Sequence, residues 1–421
     1  MAASNVTRIS SLYVHVPFCA QKCAYCAFYS EPAGGELVNR YVAALIREME
    51  IVADDVRPPV LRSTAAEGGR TIFFGGGTPS LLNLRQWNQV LRAMERLNLL
   101  GAEEFTVECN PATVSADKAK LLRDFGVNRI SMGVQSLDEA LLDRLGRVHS
   151  REMVFKSFDI LRRAGFDNLN MDLMFAIPGQ TLKIWRATLD EALALGSEHL
   201  SSYEVIYEDD TPLFAQLRAG KFDVNEELAC AMYEELVERV TAAGFRQYEV
   251  ANFAREKKWS NGVRENWSKN SAGTQPSNTP ELQHSIPSFA CKHNVNYWRG
   301  GSFYGLGPSA TGYVRGVRTK NRANTPLYCE QLEQGKRAIE SREELPPLKR
   351  AGETAAFGLR LVAGWPFEEF QRTTNFDLRQ EWSADMTRLA GRGWAEISPD
   401  GFHLNRQGLR FADAAAEMFL R

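Results

Sequence analysis

The stretch CAQKCAYC places Cys19, Cys23 and Cys26 within eight positions near the start of a 421-residue chain. Three thiols this close can act together as ligands of a soft metal centre. A structural zinc site takes four ligands, commonly as two separated pairs, and no second CxxC or Cys/His pair completes this one. Three thiolates can instead hold three irons of a cubane 4Fe-4S cluster and leave the fourth iron open to a ligand that is not protein. The other four of the seven cysteines, Cys109, Cys230, Cys291 and Cys329, stand alone and read as structural apolar side chains. An odd cysteine count beside an N-terminus, MAASNVTRIS, without the pattern of a signal peptide leads us to expect a reducing, cytoplasmic location.

The elements that must carry these thiols follow from an alternation of short β-branched runs with helical spacing. SLYVHV, RTIFF, EFTVE, NRISM, NLNMD and HLSSYEV read as strands, and YVAALIREMEIV, WNQVLRAMERL, ADKAKLLRDFG and MVFKSFDILRRAG read as helices between them. Six strand-helix units in a row predict an α/β fold, an incomplete parallel (β/α)6-type barrel over 8–254. Ligand chemistry then gathers at the strand C-terminal ends. The notable residues fall there: the cysteines after YVHV, GGGTPS from Gly75 to Ser80, Glu108, Gln135 and Asp172, with Arg147 a few residues beyond.

Glycines let a backbone approach a ligand, and exposed N–H and C=O groups at a strand end can bind an amine and a carboxylate. A tight turn is the other reading of GGG. Glu108, Gln135, Arg147 and Asp172 suit a polar ligand at the barrel mouth and equally suit structural hydrogen bonds. His15 reads as an inward histidine near the thiols or as a buried one. Past the barrel, 255–290 is rich in Ser, Asn, Lys and Trp without periodicity, an inserted polar loop. Residues 291–342 form a connection carrying HNVNYW, and 343–421 a small helical domain whose AEIS and FHL flank Pro399-Asp400-Gly401 as a β-wing.

Composition limits the partners. With 44% hydrophobic and 24% charged residues the chain is globular, and 50 basic against 52 acidic side chains leave a formal charge of −2. Nothing in that balance calls for nucleic acid or an acidic membrane surface. No apolar run approaches the roughly 20 residues of a transmembrane helix.

The Cys-x3-Cys-x2-Cys spacing between a first strand and a first helix resembles the radical S-adenosylmethionine superfamily. YVHVPFC, FGGGTPS, RISMGVQS, MDLMFAIPGQT and the small C-terminal domain extend the likeness to the oxygen-independent coproporphyrinogen III oxidase-like group, over nearly all of the chain except 255–290. The resemblance implies a 4Fe-4S cluster on Cys19, Cys23 and Cys26, with S-adenosylmethionine chelating the open iron and cleaved there to methionine and a 5′-deoxyadenosyl radical. It implies cofactor contacts from Tyr13, Tyr25, Gly76, Gly77, Thr78, Glu108, Gln135, Arg147 and Asp172. Tyr25 would touch the adenine, ordinary packing being its other reading.

Within that group the oxygen-independent coproporphyrinogen III dehydrogenases and the HemW-type heme chaperones differ at places visible here. The dehydrogenases carry a further cysteine two positions after the third ligand, where this chain has Phe28. They also carry a long N-terminal arm, and only eighteen residues precede Cys19. HNVNYW resembles the HNxxYW motif of the chaperones, which implies heme as cargo, His293 as its axial ligand, and Asn294, Tyr297 and Trp298 around it. Cys291 is a weaker alternative ligand. We therefore expect a heme chaperone serving acceptor hemoproteins such as respiratory-chain enzymes at a membrane. The alternatives are a dehydrogenase or a radical enzyme with an unrelated substrate. The sequence leaves the acceptor, the electron donor and the assembly open, a homodimer being the form considered.

Overall fold

In the six strands read from the sequence, apolar and polar side chains alternate, and folding turns that alternation into two faces. The computed structural model describes residue 9 and residues 11–56, 70–257 and 286–420. The strands are β1 (Ser11–Val16), β2 (Thr71–Gly76), β3 (Glu104–Cys109), β4 (Arg129–Gln135), β5 (Leu169–Phe175) and β6 (His199–Glu204), each parallel to the next. One face bears Val14, Phe74, Val107, Ile130 and Met171, all withdrawn from solvent. Between them helices return the chain, among them α1 (Gly35–Val52), α2 (Leu84–Arg96), α3 (Ala116–Asp124), α4 (Glu139–Leu145), α5 (Arg151–Arg163) and α6 (Leu182–Ala194).

The helix α2 shows the local logic. Asn83 and Gln86 form a reciprocal capping box at its start, and Trp87, Val90, Leu91 and Met94 recur at helical spacing on its buried side. Trp87 meets Phe74 of β2 at a ring separation of 5.2 Å. Burying each such ring contributes roughly 1.5–3 kcal/mol.

The opposite face is polar: Ser11 and His15 of β1, Thr71 of β2, Glu104 and Thr106 of β3, Arg129 and Ser131 of β4, Asn170 of β5, and His199 and Ser201 of β6, all buried. Aliphatic layers usually fill the inside of such a barrel. Here the interior is hydrogen-bonded instead, as in Asn170, which donates to Ser131 Oγ at 2.7 Å and accepts from Ser201 Oγ.

A seventh parallel strand, β7 (Phe303–Leu306), joins β1 on its free side in the register Ser11 to Phe303. The sequence reading placed that segment in a connection. Its neighbours β8 (Thr311–Val314), β9 (Val317–Asn321) and β10 (Ile339–Glu344) continue the sheet antiparallel, in the order β10-β9-β8-β7-β1-β2-β3-β4-β5-β6. Fully buried Glu48 of α1 ties on this extension. Its carboxylate accepts from Gly307 N (2.8 Å), Asn321 Nδ2 (2.9 Å), Tyr328 Oη (2.8 Å) and Arg337 Nε (3.3 Å).

The chain divides into two compact units, one of Met1–Arg239, Cys291–Tyr297 and Gly301–Pro346, the other of Val240–Ala290, Trp298–Gly300 and Pro347–Arg421. Of the polar insertion expected at 255–290, residues 258–285 lie outside the described residues. The second unit has its own core of Trp365, Phe370, Trp382, Phe402 and Phe419. Its β-wing has three strands, β11 (Trp365–Pro366), β12 (Ala395–Ile397) and β13 (Gly401–Leu404), one more than the sequence reading proposed. The added strand is two residues long and has no pattern to betray it. Among the described residues no helix is long and apolar enough to cross a membrane.

Removing the Glu48 carboxylate takes an acceptor from the buried donors of Gly307, Asn321 and Tyr328 and from the partly buried Arg337 guanidinium. Glu48→Ala should lower stability by about 3–5 kcal/mol, against less than about 0.5 kcal/mol for Glu340→Ala on the exposed strand β10. Urea unfolding of both variants, with the slope unchanged, checks the contrast.

Candidate metal and cofactor site

The three thiols stand on the loop that leaves β1, and backbone hydrogen bonds place that loop before any ligand enters. Gly77 N–H donates to Val16 O (2.8 Å) and Thr78 N–H to Phe18 O (2.7 Å), so the glycine turn after β2 lies against the chain leading to Cys19. Ala24 N–H donates to Leu145 O (2.9 Å) at the end of α4, and Leu213 N–H to Ala24 O (2.9 Å). His15 closes the loop's far end, with Nε2 2.8 Å from Tyr29 O and Nδ1 3.1 Å from Tyr13 Oη.

Gly76 has φ +103°, and a Cβ there would stand 2.5 Å from the His15 ring, so only glycine fits. The expectation that N–H groups of this turn receive the ligand needs correction. Gly76 N–H donates to Glu108 Oε2 (3.1 Å), and those of Gly77 and Thr78 are spent on the cysteine loop. The N–H groups of the turn are therefore already spent within the protein. His15 likewise has both ring nitrogens engaged and acts as a post for the loop.

The sulfurs are half-buried. Cys19 Sγ accepts from Thr78 Oγ1 at 3.6 Å, and Cys23 Sγ from Arg147 Nη1 at 3.4 Å. Burial pushes the Cys26 thiol above its ordinary range, and the neighbouring Cys23 and Cys19 sulfurs add to the shift, so the three form one electrostatic group. Among the described residues no three His, Cys, Asp or Glu side chains converge as ligands of a bare ion do. Three soft thiolates sharing one open loop beside a guanidinium fit a cluster, which is larger than an ion and anionic.

Around them the structure brings together most of the polar residues picked from the sequence. Arg147 follows Gly146, which ends α4 in a left-handed turn with φ +70° and sends the chain back along the end of β4. Burial opposes the Arg147 charge, but the facing Tyr25, Cys23 and Asp172 outweigh it and hold it firmly protonated. Burial, then the Asp172 charge, lifts Glu108 to about 8. Burial also raises Asp172, against hydrogen bonds from Asn170 and Ser131. Tyr25 packs on an apolar cluster with Ile177, Val205 and Tyr207, and burial raises its phenol. Gln135 holds φ +66°, a strained value for a residue with a side chain. Tyr13 lies deeper, its ring 6.2 Å from that of Phe73 and 6.4 Å from that of His293.

The HNVNYW segment is not part of this mouth. It forms a short helix, α8 (Lys292–Trp298), whose first N–H groups, of Lys292 and His293, are capped by Glu104 at 2.8 and 3.0 Å. Glu104 and Thr71 begin their strands, whereas the cysteine loop leaves the other end of β1. Five residues of strand, at ~3.3 Å each, separate the two ends by ~16 Å. His293 is 7% exposed, with Nδ1 2.9 Å from Thr71 Oγ1 and its ring 5.3 Å from that of Phe73. Burial, with the Arg129 charge adding, lowers its pKa to about 4. Tyr297 packs on Phe303 and Trp298 on Phe357, while Asn294 is half-buried. Trp298 falls in the second unit, so the four residues do not form one patch within either unit. Cys291 is buried against Glu104, and Cys230, read as a buried side chain, is exposed on a helix, α7 (Glu226–Ala242). Sequence reasoning missed Glu104 and Thr71, which carry no motif.

The sequence profile of the Radical SAM superfamily matches residues 13–192, and that of the HemN C-terminal domain residues 345–411. The chain is 32% identical to the heme chaperone HemW of Lactococcus lactis subsp. lactis over 98% of this chain and 97% of that protein. The chain belongs to the HemW heme-chaperone family. It is also 31% identical to the HemW of Bacillus subtilis, with 98% of this chain and 99% of that one covered. In fold it is similar to coproporphyrinogen III oxidase (HemN) from Escherichia coli, with a TM-score of 0.74 at 19% identity, over 98% of this chain and 90% of that one. Membership of the radical SAM superfamily brings with it a 4Fe-4S cluster and S-adenosylmethionine.

The Glu108 carboxyl supplies a pH test. Its pKa rises from an ordinary 4.5 to about 8, so the folded chain binds that proton more tightly than the unfolded chain does. The associated stability is complete below about 4.5 and is lost as pH rises through about 8. In Glu108→Gln that slope should vanish, the variant gaining on the unaltered chain by at most ~1.4 kcal/mol per pH unit in this window. Urea midpoints of the cluster-free chain from pH 5 to 8 read it out.

Proposed function

We propose that this chain binds heme and hands it to acceptor hemoproteins, respiratory-chain enzymes at a membrane among them. It does so while carrying a 4Fe-4S cluster on Cys19, Cys23 and Cys26 with S-adenosylmethionine beside it. The observation that carries the reading is the full-length likeness to heme chaperones. The chemistry supplied by the bound cluster and cofactor is one-electron cleavage of a sulfonium. The protein's part is to hold and orient. The carbonyl oxygens of Gly76 and Gly77 and the Thr78 hydroxyl receive the amine of the methionine moiety, and Arg147 its carboxylate. Glu108, Gln135 and Asp172 serve the adenosine hydroxyls and the positive sulfur, Tyr25 faces the adenine, and Tyr13 supports the floor through His15.

The hydrogen bonds at the strand starts support His293 as the heme ligand. The Thr71 hydroxyl donates to Ser11 Oγ at 2.9 Å, so its oxygen accepts from His293 Nδ1–H. That assigns the proton to Nδ1 and leaves the Nε2 lone pair for iron, while a pKa of about 4 keeps the imidazole neutral. A ligating histidine fixed through its other nitrogen is the usual arrangement. Cargo heme and cluster then occupy opposite ends of the sheet, so heme binding and cluster binding are separable.

With heme added to the cluster-loaded chain, His293→Ala should weaken the Soret band at unchanged iron-sulfur content, and Thr71→Val should lower heme affinity by about tenfold or more. Cys23→Ala should lose the cluster and keep heme affinity. No protoporphyrinogen should form from coproporphyrinogen III. Multiple turnovers to protoporphyrinogen, with heme affinity indifferent to His293, would replace the chaperone reading by the dehydrogenase one.

A further inference from the structure

Gln135 ends β4 in a conformation that the strand alone does not support. Ser136 N–H donates back to Val134 O at 2.8 Å, closing a three-residue turn around Gln135 with φ +66°. A γ-turn of this sense is rare and strained. The register of β4 against β5 slips between Gly133 and Gln135, so Val134 leaves the ladder and its carbonyl is turned aside. Strain of this kind persists only where neighbours over-determine it.

The neighbours come from one short stretch after α4, Arg147-Val148-His149. Arg147 Nη2 donates to Gly133 O, and His149 Nε2 stands 3.1 Å from Val134 O. Val148, between them, faces solvent. Two side chains at i and i+2 thus hold two successive carbonyls immediately before Gln135. Arg147 also reaches Cys23 Sγ, so one of the two has a second task. His149 has none: it is 3% exposed, and its Nδ1 is buried without a partner among the described residues. Since Val134 O can only accept, the proton lies on Nε2. Burial, and then the Arg147 charge, lowers the His149 pKa to about 4, so the ring stays neutral and keeps this one donor.

We propose that His149 is a positioning residue of the cofactor site: by donating to Val134 O it holds the turn that aims the Gln135 side chain at S-adenosylmethionine. A buried imidazole that leaves one nitrogen unsatisfied is expensive relative to an apolar ring, and the bond to Val134 is what it contributes in return. The proposal rests on the reading of Gln135 as a cofactor contact. His149 touches no ligand in this account; it acts through the backbone.

The test is titration of the reduced, cluster-loaded full chain with S-adenosylmethionine, followed by the electron paramagnetic resonance spectrum. His149→Phe keeps the ring and loses the donor, and should weaken cofactor binding about tenfold at unchanged iron content, the effect of one lost hydrogen bond. His149→Gln, which restores an N–H donor, should recover most of that loss. Gln135→Ala should weaken binding to a similar degree, and the double variant His149→Phe with Gln135→Ala should be no weaker than Gln135→Ala alone, because both changes remove one contact. Normal affinity in His149→Phe beside a weakened Gln135→Ala would overturn the proposal and leave the cofactor reading standing. Additive losses would overturn it as well, by showing that His149 acts elsewhere. No effect of Gln135→Ala would remove the reading beneath it. Should His149→Phe not fold, the comparison of His149→Gln with His149→Leu decides: equal affinities overturn the proposal, and a loss confined to His149→Leu supports it.

Discussion

Two backbone hydrogen bonds, from Gly77 to Val16 and from Thr78 to Phe18, hold the glycine turn against the start of the cysteine loop, and the bonds through Ala24 to Leu145 and Leu213 hold the rest of it. Each bond is worth only about 1 kcal/mol net. Their geometry matters more than their energy. A Cβ at Gly77 would stand 2.7 Å from Phe18 O, and one at Gly76 would strike the His15 ring, so any bulk here separates the two loops. With the glycines in place Thr78 reaches Cys19, and Gly76 N–H reaches Glu108 on the next strand. The thiols are therefore referenced to β1, β2 and β3 at once, which is rigid support for residues that themselves sit on a loop.

The polar interior of the sheet is the second element on which the site depends. An ionised carboxylate or guanidinium buried there is tolerable only where charges and hydrogen bonds compensate it. Arg129 supplies one compensation. It stands near the start of β4, and its charge is felt by Glu108 and Asp172 toward the mouth and by His199 and His293 toward the base. The same charge adds to burial in keeping two buried histidines neutral, and it eases the ionisation of two buried carboxyls. Interior filling of this kind costs stability relative to aliphatic layers, and the apolar strand face under the helices offsets it.

Placing HNVNYW at the strand starts changes how the motif reads. Beside the cluster it would suggest electron or atom transfer between iron centres. At the opposite end, with His293 oriented by Thr71 and capped through Glu104, it suggests a holding site separate from the radical chemistry. Under the proposed function, that separation keeps cargo iron clear of a reducing cluster.

The spacing of Cys19, Cys23 and Cys26, the six strands and the helices between them were legible from the residues, because periodicity and ligand spacing are local properties of the chain. So was the gathering of Glu108, Arg147 and Asp172 at one mouth, since a parallel sheet puts strand C-terminal ends on one side whatever the details. The seventh strand at Phe303–Leu306 was not, because its partner β1 lies almost 300 positions away and no pattern in a single strand names its neighbour. Neither was the loss of the glycine turn's N–H groups to Val16, Phe18 and Glu108, the strain at Gln135, or the bond from His149 to Val134. Periodicity says which face a side chain takes. Only the packed chain decides which donor meets which acceptor, because every buried polar group must be satisfied by atoms that the sequence leaves far apart.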